Sequence, residues 1–343
     1  MHVTPGASNS ALPALYRTMR RIRSFEERVG ELFVRGQTAG SMLHLSIGEE
    51  AAAAGVTAAM GPRDTFTTHH RGHGIFLARG ADPARMMAEI AGKEAGYCRG
   101  KGGSMHIADM GLGHLGANAI VGGGIPAVVG AGLSARHHGT GAISVAFFGD
   151  GATGQGILYE SMNMAALWGL PVLFVCINNQ YGMGTRIDQA TANTALHERA
   201  LAFGLEGATV DGVDVEAVAD AARTLADAAR AGRPGFLAVT CYRFYGHARK
   251  DKSPYRSPEE EAEGRARDPL ARARARLLET GLATEAELEA LDAAADAEMD
   301  ATIDFAVAAG EPPLASMFRD VFDPAEPEPE PVRARIDRVL ARE

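Results

Sequence analysis

Apolar residues recur at helical spacing from Leu15 to Arg35 (Leu15, Met19, Ile22, Phe25, Val29 and Phe33), which predicts a first helix. Gly48 to Met60 is almost wholly small residues and reads as a second helix, suited to close packing and a candidate subunit contact. Gly61-Pro62 stops it. Thr65–Thr68 reads as a short strand, and Ala127–Ala135 as a helix behind Pro126. The apolar runs Ala142–Phe148 and Pro171–Ile177 predict two buried strands joined by a helix from Gln155 to Trp168. Further on come a helix over Asn193–Phe203 and a strand at Ala208–Val210. Asp214 caps a helix with the face Val218, Ala222, Leu225 and Ala229, and Phe236–Cys241 is another apolar strand. Such alternation specifies an α/β fold, a mainly parallel sheet with helices on both faces.

Two stretches break the rhythm. Residues 96–126 are too rich in glycine for regular structure, and predict a structured loop layer carrying His106, His114 and Asn118. From Arg243 to Pro258 the chain is a polar loop, and from about residue 258 three helical stretches form a C-terminal helical extension. The clearest is Thr284–Ala309, with Thr284 and Glu287 as a capping box and Leu288, Leu291, Ala295 and Ile303 as its apolar stripe. Residues 1–14 read as an N-terminal arm and 15–322 as one domain. Residues 323–343 read as a Pro/Glu linker followed by a charged, frayed tail.

Composition narrows the function by exclusion. A net charge of −9 over 343 residues argues against nucleic acid as a partner. No apolar run approaches the ~20 residues of a membrane helix, and the start, Met1 to Gly6, lacks the charged and apolar regions of a signal peptide. Cys98, Cys176 and Cys241 are odd in number and have no metal spacing, which suits reduced thiols in the cytoplasm.

The chemistry gathers at the ends of the two buried strands. Asp150 and Asn179 each lie just past a strand, and in a parallel sheet those carboxyl ends share one edge. A carboxylate and an amide oxygen there suit a hard cation such as Mg²⁺. Gly149 and Gly151 flank the acid, so the backbone can turn tightly and a diphosphate can come close. On its own, Asp150 is equally well a turn residue capping the next helix.

Gly149-Asp150-Gly151 with Asn179 resembles the thiamine diphosphate motif. Gly100-Lys101-Gly102-Gly103-Ser104-Met105-His106, Asn163–Trp168 and Asn179-Gln180-Tyr181-Gly182-Met183-Gly184 resemble the α subunit of the E1 component of 2-oxo acid and acetoin dehydrogenase complexes. The likeness runs from about Tyr16 to Val321. It implies the thiamine diphosphate-binding fold, with thiamine diphosphate and Mg²⁺ as cofactors. The implied metal ligands are Asp150, Asn179 and the backbone carbonyl of Tyr181. The implied cofactor contacts are His70, Arg71, Val121, Gly149, Asp150, Gly151, Ala152, Asn179, Tyr181, Met183, Arg243 and His247. Met183 reads either as an apolar support for the cofactor rings or as a core methionine. The implied channel and catalytic histidines are His44, His70, His73 and His247, while His69, His106 and His114 read as structural.

The family's reaction cleaves the C–C bond next to a carbonyl and passes the acyl unit to lipoamide on an E2 lipoyl acyltransferase. Its partner is an E1 β subunit in an α₂β₂ heterotetramer, which supplies the glutamate that activates the cofactor; no candidate for it is found in this chain. Several positions depart from the family pattern. His70 stands where pyruvate enzymes commonly have Tyr, Gly154 replaces a frequent Asn, Ala119 replaces a Gly, and Ala248 stands where animal enzymes carry a kinase-targeted serine. His70 tilts the substrate toward acetoin, ahead of pyruvate and then branched-chain 2-oxo acids. A transketolase-like half and a non-catalytic regulatory homologue are the competing readings.

Overall fold

The computed structural model describes residues 11–40, 42–319 and 331–341. Its frame is a parallel sheet of six strands: β1 (Thr65–His69), β2 (His114–Asn118), β3 (Ser144–Gly149), β4 (Val172–Asn178), β7 (Glu206–Asp211) and β8 (Gly235–Thr240). A short antiparallel hairpin, β5 (Tyr181–Gly182) and β6 (Thr185–Arg186), stands apart from it. The sheet order is β2-β1-β3-β4-β8-β7, and every pairing in it is parallel.

The central strands are apolar along their whole length because both faces are covered. Val145, Phe147, Val175, Ile177, Leu237 and Val239 enter one core, and their alternate neighbours Ala146, Phe148, Phe174, Cys176, Phe236 and Ala238 enter the other. The first core holds residues of helices α1 (Leu12–Val34), α2 (Glu50–Thr57), α3 (His73–Ala78), α4 (Pro83–Ile90) and α9 (Val215–Arg230). On the opposite face lie α5 (Ile125–His137), α6 (Gly156–Leu167) and the short α7 (Ile187–Ala190) and α8 (Glu198–Leu201).

Helices α10 (Pro258–Ala266), α11 (Pro269–Glu279) and α12 (Glu285–Ala308) form the C-terminal extension. The Thr284–Glu287 capping box is present. α12 is part of the domain: Met299, Ile303 and Ala306 join the first core. Arg20, Arg21 and Arg28 of α1 pair with its Asp296, Glu298 and Asp300.

Five expectations are corrected. α2 is shorter than Gly48–Met60, and all its residues are buried within this chain, with Gly55 set against Val218 of α9. It therefore offers no surface for a subunit contact. The glycine-rich stretch is not all loop, since His114–Asn118 pairs with β1 as the edge strand β2. Both oxygens of the buried Glu89 organise its first half, accepting the main-chain N–H groups of Cys98, Gly100, Gly102 and Gly103. The helix expected over Asn193–Phe203 shrinks to α8, because Asn193 Oδ1 accepts the Ala195 N–H and closes a local turn instead. Val332–Leu340 forms helix α13 where a frayed tail was expected. Residues 12–14, expected in the N-terminal arm of residues 1–14, belong to α1, while residues 1–10 and the Pro/Glu segment at 320–330 lie outside the described residues.

Candidate active site

Five strands deliver their carboxyl ends to one edge. β1 runs into His70 and Arg71, β2 toward Val121, β3 into Asp150, β4 into Asn179, and β8 toward Arg243 and His247. Between these ends lies a cavity of about 300 Å³. All twelve expected contacts line it: His70, Arg71, Val121, Gly149, Asp150, Gly151, Ala152, Asn179, Tyr181, Met183, Arg243 and His247. His44 sits at its margin, with its ring centroid 4.6 Å from that of His70 and 4.8 Å from that of His247.

His73 does not line this cavity. It is buried, with Nδ1 3.2 Å from Glu26 Oε2 and Nε2 2.9 Å from Ser104 Oγ. Both ring nitrogens are engaged, so it ties α1 to the glycine-rich segment and is corrected here from a catalytic to a structural residue. His114 also keeps a structural place, stacked on Phe66 and bonded to Thr68. His69 lines the cavity, but its Nδ1 accepts the main-chain N–H of Arg71. Met183 is 65% exposed, which excludes the core-methionine alternative.

Asp150 is buried, and its Oδ2 has no hydrogen-bond partner among the described residues. Burial raises its carboxyl to about 6, against the pull of Arg243 and Arg71. Buried charge of this kind normally has a partner. Arg71 donates to the Leu45 carbonyl at 2.9 Å and to His247. Arg243 donates to the carbonyls of Tyr245, Tyr181 and Met183, and so pins the β5–β6 hairpin. Burial lowers Arg71 only to about 10, so its charge survives at neutral pH.

The hairpin holds uncommon backbone. Gln180 and Met183 both have positive φ, at 74° and 56°, on either side of Tyr181. A Cβ on Gly149 would meet no protein atom within 4 Å, so packing does not require a glycine there; the space belongs to the cavity. The cavity thus joins an unpartnered carboxylate oxygen, an amide, a backbone carbonyl, two guanidiniums and open glycine backbone. That set fits a diphosphate with a hard cation.

His44, His70 and His247 are neutral. Burial, then Arg71, lowers His44 to about 3, His247 to about 4 and His70 far below the usual range. Arginine only donates, so His247 Nδ1 must accept from Arg71 and Nε2 carries the proton. Ring nitrogens of His44, His70 and His247 lie within 4.8 Å of one another, as a metal site would need. Arg71 on the same imidazole makes this a poor place for a cation. Sequence reading missed Asp251, which accepts from the His247 N–H (2.8 Å) and the Tyr255 hydroxyl (2.6 Å) and so holds the His247 loop. It also missed Glu49, whose partner, Asn179, lies 130 residues away.

A sequence model of the dehydrogenase E1 component matches residues 17–315. The chain belongs to the dehydrogenase E1 component family. Enzymes of this E1 family depend on thiamine diphosphate. The α subunit of acetoin:2,6-dichlorophenolindophenol oxidoreductase from Cupriavidus necator is 42% identical over 313 residues, covering 91% of this chain and 94% of its own. The Bacillus subtilis protein of the same name is 47% identical over 250 residues, 73% of this chain and 75% of its own. The pyruvate dehydrogenase E1 component α subunit of Rhizobium meliloti is 40% identical over 309 residues, 90% and 88% of the two chains.

Proposed function

We propose that this chain is the diphosphate-holding α half of an acetoin-cleaving E1 enzyme. It works with an E1 β subunit in an α₂β₂ assembly and passes its acyl unit to a lipoyl E2 in the cytoplasm. Asp150, Asn179 and the Tyr181 carbonyl hold Mg²⁺ in this reading, and Arg71, Arg243 and the His247 Nε2–H hold the diphosphate. Thiamine diphosphate, when bound, supplies the carbanion chemistry that breaks C–C bonds beside carbonyls. This chain's residues bind it, orient it and exclude water.

The observation that carries the substrate is the state of His70. It lines the cavity, is held neutral by burial and Arg71, and its Nε2 has no hydrogen-bond partner among the described residues. Acetoin must lose a hydroxyl proton as its C–C bond breaks; the burial and Arg71 that hold His70 neutral disfavour its protonated form, so in this reading His70 accepts a hydrogen bond from that hydroxyl and orients it without keeping its proton. Pyruvate loses CO₂ and brings no such proton. The acetoin enzymes among the relatives support this order, and the pyruvate enzymes of comparable identity keep pyruvate as the second reading. A β partner is supported by the cavity's surroundings. Ile120, Val121 and Met183 line it with large apolar side chains that are more than half exposed, which suits cover by a second chain.

The test compares kcat/KM for acetoin, pyruvate and a branched-chain 2-oxo acid with the reconstituted α/β enzyme. Acetoin is expected to lead. A preference for pyruvate of about tenfold, or ~1.4 kcal/mol in transition-state binding, overturns the assignment.

A further inference from the structure

Glu49 is buried at the start of α2, and its side chain caps nothing there. Its neighbour Glu50 is paired with Arg23 and accepts the Gly48 N–H. Glu49 has no ion pair among the described residues, and its Oε2 has no hydrogen-bond partner. Its one side-chain hydrogen bond among the described residues is at Oε1, which accepts from Asn179 Nδ2 at 2.7 Å. Keeping a buried carboxylate for a single bond is costly unless that bond does something apolar packing cannot do.

An amide has a donor end and an acceptor end of nearly the same shape, and its neighbours decide which way round it sits. Glu49 Oε1 faces Asn179 as an acceptor and takes the Nδ2 end. On the other side, the Tyr181 N–H donates to Asn179 Oδ1 at 3.2 Å. That uses one lone pair of the carbonyl oxygen and leaves the second. Asn179 lines the cavity, so the second lone pair is the one open to a ligand there.

We infer that Glu49 is a positioning residue for the metal, fixing the Asn179 amide so that Oδ1, not Nδ2, is the group offered to the cation. The inference rests on the proposed Mg²⁺ site. Residues that orient a metal ligand typically change affinity by about 10- to 100-fold when removed.

The test uses the assembled α/β enzyme with thiamine diphosphate and Mn²⁺ as probe, reading bound Mn²⁺ by its electron paramagnetic resonance signal. Glu49→Leu removes the acceptor at similar volume and is expected to weaken Mn²⁺ about 10- to 100-fold. Glu49→Asp keeps the charge but retracts the acceptor, and is expected to weaken it too, which serves if the Leu variant does not assemble. Glu49→Gln still offers an oxygen to Asn179 Nδ2 and is expected to restore most of the affinity. In an Asn179→Ala background, Glu49→Leu should have no further effect on Mn²⁺. Asp150→Ala separates the two ideas. If it loses Mn²⁺ while both Glu49→Leu and Glu49→Asp bind as wild type, the positioning role is wrong and the metal site stands. If Asp150→Ala binds Mn²⁺ as wild type, the metal site itself is wrong.

Discussion

Arg71 and His247 lie 176 residues apart, yet Arg71 Nη2 donates to both the Nδ1 and the main-chain carbonyl of His247. This link ties the loop after β1 to the loop after β8 and sets the tautomer that leaves Nε2–H free for an anion. Arg71→Lys keeps the charge but loses the fork that also reaches Leu45. Thiamine diphosphate affinity should fall at least about tenfold, or ~1.4 kcal/mol. Calorimetry on the assembled enzyme checks this, and an unchanged Kd would mean the fork is not needed.

Packing of α2 on α9 makes a separate prediction. A Cβ at Gly55 would lie 2.7 Å from Val218 Cγ1 and 2.8 Å from Val218 Cβ. Gly55→Ala should cost about 1–3 kcal/mol through overpacking. Thermal unfolding of Gly55→Ala against wild type gives the answer; an unchanged Tm would mean that the two helices are not in close contact at Gly55.

Much of the fold was legible because the buried strands are long apolar runs ended by turn residues. β3, β4 and β8 came within two residues of their observed bounds for that reason. The cavity residues were legible through strand ends and the family likeness. What stayed hidden depends on long-range partners. β2 is short, partly exposed and glycine-bearing, so nothing periodic marks it. His73 looks like any loop histidine until Glu26 and Ser104 close on it. Glu49 opens an alanine-rich helix, and no local pattern points from there to Asn179.

Acid should destabilise the protein through its buried histidines. Burial lowers His114 from 6.5 to about 3. Between those values the unfolded chain holds a proton that the folded chain does not, so stability is complete above pH 6.5 and falls as pH drops. The slope is about 1.4 kcal/mol per pH unit for one such group. His114→Gln has no such penalty, so the Tm difference between variant and wild type should shift in the variant's favour from pH 7 to pH 5. A difference independent of pH would contradict the buried neutral state.

Phosphorylation at the loop carrying His247 should not switch this enzyme off. Ala248 has no hydroxyl, Ser253 is buried on positive-φ backbone, and Ser257 caps α10 by accepting the Glu260 N–H. Treatment with an E1 kinase and ATP should leave activity unchanged. Phosphate on Ser253 or Ser257 together with lost activity would refute this.

The central claim is that Asp150, with its unpartnered buried oxygen, anchors the metal that anchors the cofactor. Its most direct test is calorimetry of thiamine diphosphate with Mg²⁺ on the assembled α/β enzyme, wild type against Asp150→Ala. With the fold intact by circular dichroism, affinity should fall on the order of a hundredfold or more, since even indirect metal positioning is worth about 10- to 100-fold. Equal affinity in the two proteins would contradict the account.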